Sequence, residues 1–101
     1  MKGKDTRKTI KKIRRLCKPR GIEVLVESQR GKGSHVSLIF IDRDTKEFVR
    51  VTISGKDEIS AGVQRGILRY LEDFISKYGD LAGKTVLAMA VKKILEAIFK
   101  D

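Results

Sequence analysis

The only histidine of the chain, His35, follows a short turn that contains basic residues and glycines. Histidine is the side chain best suited to move protons near neutral pH. Arg30 and Lys32 would place positive charge beside it, and the amides of Gly31 and Gly33 could approach a phosphate because no side chain obstructs them. RNA carries its own nucleophile in the 2′-hydroxyl, so these groups could support RNA cleavage with neither a metal ion nor a cofactor. Taken by itself, His35 is explained more simply as an ordinary half-exposed histidine on a strand.

Other residues with chemical potential have simpler explanations. Cys17 is the only cysteine, so it cannot form an internal disulfide and has no companions at metal-ligand spacing. It continues an apolar stripe, which predicts a core thiol rather than a nucleophile. Aromatic side chains could stack on nucleic-acid bases or pack at the core or edge of the fold. The candidates for stacking are Phe48, Tyr70 and Tyr78.

The charge balance points to a polyanionic partner. The chain has 23 Lys and Arg residues against 13 Asp and Glu, which gives a net charge of +10. Basic residues concentrate near the N-terminus, where only Asp5 opposes them. They are Lys2, Lys4, Arg7, Lys8, Lys11, Lys12, Arg14, Arg15, Lys18 and Arg20. This clustering is the electrostatic footprint of a nucleic-acid-binding protein, with a solvated basic face as the alternative.

Length and composition limit the class of protein. The 101 residues correspond to a single domain, residues 1–101, and 41% hydrophobic residues are enough for a modest core without disulfides. No apolar run has the length of a signal peptide, and none approaches the roughly 20 residues of a membrane span. We therefore expect a cytoplasmic protein.

The first predicted element is a helix over residues 6–18, capped by Asp5 or Thr6 and stopped by Pro19 and Gly21. Its apolar side chains recur at spacings of three and four. They are Ile10, Ile13, Leu16 and Cys17. The residues on the opposite side of the helix are Lys8, Lys11, Lys12 and Arg15. The pattern therefore predicts a helix with a cationic outer ridge.

Alternating apolar and polar residues predict three strands, at residues 22–29, 34–41 and 47–54. They would form an antiparallel meander with one face covered by helices. Residues 42–45 have hairpin-loop composition, which predicts a turn rather than a metal site. The side chains expected to face the helices from the first two strands are Ile22, Val24, Val26, Val36, Leu38 and Phe40. His35 would then lie on the open face.

Two more helices follow, at about residues 61–77 and from residue 81 or 84 to 99. The predicted class is α+β, with the order α-β-β-β-α-α. An α-β-β-β-α unit with both helices on one face of the sheet is the architecture of double-stranded-RNA-binding domains. We therefore predict a fold of this type with an additional C-terminal helix at residues 81–100.

Over residues 6–77 the chain resembles the HicA (YcfA-like) toxins, the mRNA interferases of toxin–antitoxin systems. The resemblance lies in the Gly33-Ser34-His35 triplet after a basic turn, and in Glu58-Ile59, Gly62 and residues 65–68 at the start of the closing helix. It implies that His35 is catalytic and that a HicB-type antitoxin is the protein partner. Many members have a proline and a second histidine where this chain has residues 53–56, so catalysis would depend on His35 alone.

The sequence thus predicts an endoribonuclease that binds mRNA. The expected RNA contacts are Lys8, Lys11, Lys12, Arg15, Arg30, Lys32, Gly33, Ser34 and Arg50. One alternative is a non-catalytic RNA-binding module of the same fold, in which His35 only contacts RNA. Another assigns the C-terminal helix a role in homodimerisation or partner docking, and the same apolar stripe could instead close over the end of the core.

Overall fold

The centre of the fold is an antiparallel sheet with helices on one face. The computed structural model describes residues 2–28, 35–54, 57–79 and 82–100. The elements in these ranges are β1 (Lys4–Asp5), α1 (Thr6–Cys17), β2 (Ile22–Ser28), β3 (His35–Asp42), β4 (Phe48–Ser54), β5 (Glu58–Ile59), α2 (Ala61–Lys77) and α3 (Ala82–Phe99). The predicted α+β class is confirmed. Two of these elements, β1 and β5, have no counterpart in the sequence prediction.

Helix α1 begins where the sequence predicts. The side chain of Asp5 accepts a hydrogen bond of 2.8 Å from the backbone N–H of Lys8, so Asp5 is the N-cap. The α-helix ends at Cys17, one residue before the predicted end, and a short 3-10 helix, Lys18–Arg20, follows it. Gly21 then adopts a φ of 71°, a left-handed conformation that favours glycine, and leads the chain into β2.

The three long strands form an antiparallel meander in the order β2-β3-β4, as predicted. Val24 lies opposite Phe40, and Leu38 lies opposite Val51. The hairpin after β3 is closed by Asp42, whose carboxylate accepts hydrogen bonds from the backbone N–H groups two and three residues later. Residues 42–45 therefore form the predicted turn.

The core lies between the sheet and the three helices. Leu38, Phe40 and Val51 are buried on the face that meets the helices. Val26 lies opposite Leu38, on the same side of β2 as Ile22 and Val24 as predicted, but it is exposed whereas those two are buried. Since β2 is an edge strand, the helical layer covers only its first residues, and the side chains beyond that point meet solvent.

Helix α3 lies between α1 and α2 in the helical layer. It packs against both helices and against β3 and β4, whereas α1 and α2 make few contacts with each other. Its side chains belong to the same hydrophobic core as the sheet. The buried ones are Leu87, Ala88, Val91, Ile94, Leu95, Ile98 and Phe99. Residues 82–99 are therefore part of the central packing.

The short strands β1 and β5 tie the N-terminus to the start of α2. They pair antiparallel, with Lys4 opposite Ile59. The fully buried side chain of Gln64 in α2 stabilises this junction, because its Nε2 donates to the carbonyl oxygen of Lys2 at 2.7 Å and to that of Ile59 at 2.9 Å. The entry to α1 is thus fixed by hydrogen bonds from another part of the chain.

Replacing Gly66 with alanine tests the description of α2. Gly66 lies within the helix, and a methyl group there would meet no atom within 4 Å. Since glycine inside a helix costs roughly 0.5–1 kcal/mol relative to alanine, Gly66→Ala should raise the free energy of unfolding by about that amount. Urea denaturation measures the change. Gly21→Ala is the matched control and should destabilise the protein because of its positive φ. A destabilised Gly66→Ala protein would contradict this packing.

Candidate nucleic-acid interface

Four basic side chains meet on the outer face of α1. Lys8, Lys11, Lys12 and Arg15 line one shallow depression, and we call this surface the α1 cationic face. Lys12 is half-buried and the other three are exposed. Among the described residues, no acidic side chain lines this depression. Asp5, the one acidic residue among the first twenty, caps the helix instead. The structure thus brings together the four N-terminal residues that the sequence predicted as RNA contacts.

The spacing of these four residues does not help α1 to fold. Lys8 and Lys12 are four residues apart, as are Lys11 and Arg15, and like charges at that spacing destabilise a helix by a few tenths of a kcal/mol per pair. Packing of the opposite face offsets this repulsion, since Ile13 and Cys17 are fully buried. Packing therefore holds Lys11 and Arg15 one helical turn apart, where a bound phosphate would reduce their repulsion.

His35 lies on the other side of the sheet. It is half-buried at the first position of β3, directly opposite Ser54 of β4. The next residue, Val36, packs against the core, so strand alternation places His35 on the open face. Four further predicted contacts precede His35 in the sequence and lie outside the described residues: Arg30, Lys32, Gly33 and Ser34.

The open face carries an ion pair across its central strand. Nη1 of Arg50 on β4 donates to Oε1 of Glu27 on β2 at 2.9 Å. Glu27 lies opposite Ser37 and Arg50 lies opposite Ile39, so the pair crosses β3 diagonally above these two residues. Ser37 and Ile39 are both buried, although neither belongs to the core that the helices cover. The ion pair therefore shields the middle of the open face.

Arg50 is separated from the other predicted contacts. The position opposite Arg50 is four residues from His35 along β3, or about 13 Å at the rise of a strand. Its positive charge is paired with the Glu27 carboxylate. Because both side chains are about half exposed, this ion pair contributes little to stability. The α1 cationic face is in the helical layer, on the opposite side of the sheet. Among the described residues, the four predicted contacts on α1 thus lie together, and the fifth, Arg50, lies apart from them.

The predicted stacking candidates are all exposed. Phe48 lies on the open face, with the Nζ of Lys84 4.8 Å from its ring centroid. Tyr70 and Tyr78 belong to a row on α2 that includes Phe74, with ring centroids 6.5 and 5.0 Å apart. The sequence analysis missed this row, although a spacing of four residues between aromatic side chains on one helix signals it.

The Cys17 thiol is a core group, as predicted. It is fully buried, and this burial raises the pKa of the Cys17 thiol to about 11, while the nearby Arg20 guanidinium partly offsets the increase. In the described part of the chain, no three Asp, Glu, His or Cys residues are placed to hold a metal ion. Nor does any helix there have the length and apolarity to cross a membrane.

Burial of the Cys17 thiol should make the folded protein less stable at alkaline pH. In the unfolded chain the thiol ionises near its ordinary pKa of about 8.5, whereas the folded protein keeps the proton until about pH 11. The stability from this group is complete below the unfolded pKa and decreases as the pH rises toward the folded one. We expect urea denaturation to show a steeper alkaline loss for the parent protein than for Cys17→Ala. Equal slopes would contradict the burial of the thiol.

Comparisons of the chain with known protein families, with curated proteins and with solved structures give no match.

Proposed function

We propose that this protein binds RNA through the α1 cationic face. The observation that carries the proposal is the convergence of Lys8, Lys11, Lys12 and Arg15 on one face of a single helix. Lys11 and Arg15, one helical turn apart, repel each other, and a bound phosphate group would relieve that repulsion. The net charge of +10 would add long-range attraction for a polyanion.

The order of elements supports RNA as the polyanion. The helices lie on one face of a three-stranded antiparallel sheet, and α1 precedes the sheet while α2 follows it. This order is similar to that of double-stranded-RNA-binding domains, which recognise the shape and backbone of an RNA duplex more than its sequence. We therefore propose a fold of that type, with α3 inserted in its helical layer.

Charge reversal on α1 tests the proposal. The triple variant Lys11→Glu, Lys12→Glu, Arg15→Glu should weaken binding to an RNA duplex and flatten its salt dependence. Four phosphate contacts correspond to a slope of about 3 in log Kd against log salt concentration, and the variant should lose most of it. Fluorescence anisotropy across a salt series measures both quantities.

A matched control reverses the same amount of charge on α2, with Arg65→Glu, Arg69→Glu, Lys77→Glu. All three side chains are exposed. If both triple variants lose the same affinity, net charge rather than the α1 cationic face drives binding. A DNA duplex of the same sequence is the second control, and equal affinity for DNA and RNA would contradict the assignment to RNA.

A second candidate function is cleavage of the bound RNA by His35, as in a HicA-type mRNA interferase. The observation that favours it is the position of His35 on the open face of the sheet, at the first residue of β3. In the sequence it follows the basic residues Arg30 and Lys32. In this reaction the ribose 2′-oxygen attacks phosphorus and the bond to the 5′-oxygen breaks. His35 would take the proton from the 2′-hydroxyl or give one to the leaving 5′-oxygen. The products are a 2′,3′-cyclic phosphate and a 5′-hydroxyl.

Cleavage is tested by incubating RNA with the purified protein in EDTA and identifying the product ends. We expect the parent protein to leave cyclic phosphates and His35→Ala to leave the RNA intact while still binding it. Thr52→Ala, an exposed change on the same face, should cleave normally. If His35→Ala cleaves as fast as the parent, or EDTA stops the parent, this mechanism is wrong.

A toxin of this type would be restrained by a HicB-type antitoxin. Expression in bacteria therefore distinguishes the two candidate functions. Growth arrest that His35→Ala abolishes would support the nuclease, whereas growth unaffected by the parent protein would leave RNA binding as the function.

A further inference from the structure

Helix α3 carries a second apolar stripe in addition to the one in the core. Val86, Met89, Ala90 and Ala97 recur at helical spacing on a different side of the helix from the buried residues. Val86 is 63% exposed and Met89 is 46% exposed, although both are large apolar side chains. Large apolar side chains left exposed together on one side of a helix are typical of an interaction surface. The sequence analysis considered only the stripe that enters the core.

This second stripe forms one wall of a groove. The opposite wall comes from the end of α1 and the 3-10 helix after it, through Leu16 and Arg20. The groove has a volume of about 530 Å³, and the small side chains of Ala90 and Ala97 leave room along α3. An elongated groove between two helices, lined by apolar side chains, has the shape that accepts the apolar face of a third helix.

The charges around the groove identify the kind of helix that fits. Two charged side chains among the described residues line it, Arg20 and Lys93, and both are cationic. The exposed charges next to them on α3 are Glu96 and Lys100, which cancel each other. A second copy of this chain would bring Arg20 and Lys93 near the same residues of its partner, and each copy carries a net charge of +10. Like-charge contacts of this kind suppress association.

We propose that this groove binds an amphipathic helix with acidic flanks from another protein. Its apolar side chains would cover Val86, Met89 and Leu16, and its carboxylates would lie beside Arg20 and Lys93. This complex would bury the exposed apolar stripe without placing like charges together.

The groove adjoins the α1 cationic face. Leu16 lines the groove, and its neighbour Arg15 lines the α1 cationic face. Lys12, one helical turn before Leu16, lies on the same side of α1. An acidic helix in the groove would therefore place negative charge next to the phosphate-binding side chains and compete with RNA. This regulatory part rests on the proposed function, whereas binding of the helix does not.

The test uses two synthetic helices of about 18 residues, or five turns, stabilised by side-chain lactam bridges. Both carry the same leucine stripe, and their flanks are glutamate in one and lysine in the other. Fluorescence anisotropy, in the absence of RNA, should show that the full-length protein binds the glutamate helix at least about tenfold more tightly than the lysine helix. Lys93→Glu should reduce that preference.

Met89→Glu should weaken binding of the glutamate helix by about tenfold or more, because it places a like charge in an apolar contact. Leu25→Glu is the matched control, since Leu25 is 42% exposed on β2, and it should bind normally. Circular dichroism checks that both variants fold.

Three results would overturn the proposal: no binding of the glutamate helix, equal binding of the two helices, or equal effects of Met89→Glu and Leu25→Glu. A dimer of the parent protein, seen by light scattering, that Met89→Glu dissociates would also overturn it.

Addition of the glutamate helix to the RNA complex tests regulation separately. RNA release supports it, and simultaneous binding of both ligands contradicts it. If the protein binds no RNA at all, the proposed function fails while the binding of the helix stands on its own measurements.

Discussion

The packing of α3 between α1 and α2 is the constraint on which the rest of the structure depends. Leu87, Val91 and Leu95 bring the end of the chain into the same core as Phe40 of the central strand. Helix α1 is held by α3 on one side and by β2 below it. Because these contacts use its apolar stripe, the basic side chains of α1 face outward. The same arrangement leaves a groove between α1 and α3, where the apolar surface of α3 exceeds what the rest of the chain covers.

This arrangement separates two chemistries. The α1 cationic face lies in the helical layer and suits the binding of phosphates, while His35 lies on the opposite side of the sheet. A single phosphate group cannot contact both, so a cleaved RNA would have to extend around an edge of the sheet. On the open face, the Glu27–Arg50 pair shields the central strand and matches the charge of Arg50. Arg30 and Lys32, which precede His35 in the sequence, lie outside the described residues.

Local patterns in the sequence were sufficient to predict the helices, the long strands and the cap at Asp5, because these depend on residue spacing and on hydrogen bonds to near neighbours. The burial of Cys17 followed from the apolar stripe of α1.

Features that depend on pairing between distant residues were not predictable. Gln64 binds the carbonyl of Lys2, and Glu27 meets Arg50 from a strand that is not its neighbour. The exposure of Val26 depends on how far the helical layer extends over β2, which no strand pattern encodes. Of the candidate site, the sequence predicted which charges share α1 and that His35 lies on the face of the sheet away from the helices, because both follow from residue spacing. It could not predict the Glu27–Arg50 pair on that open face.

Binding of RNA to the α1 cationic face is tested most directly by locating the bound RNA on the protein. We would titrate isotopically labelled His35→Ala protein with an RNA duplex and follow the backbone amide signals by NMR. We expect the largest shifts on α1 between Lys8 and Arg15, with little change on β2 at Leu25 or on β4 at Phe48. Shifts confined to the open face of the sheet, with the α1 signals unmoved, would contradict it.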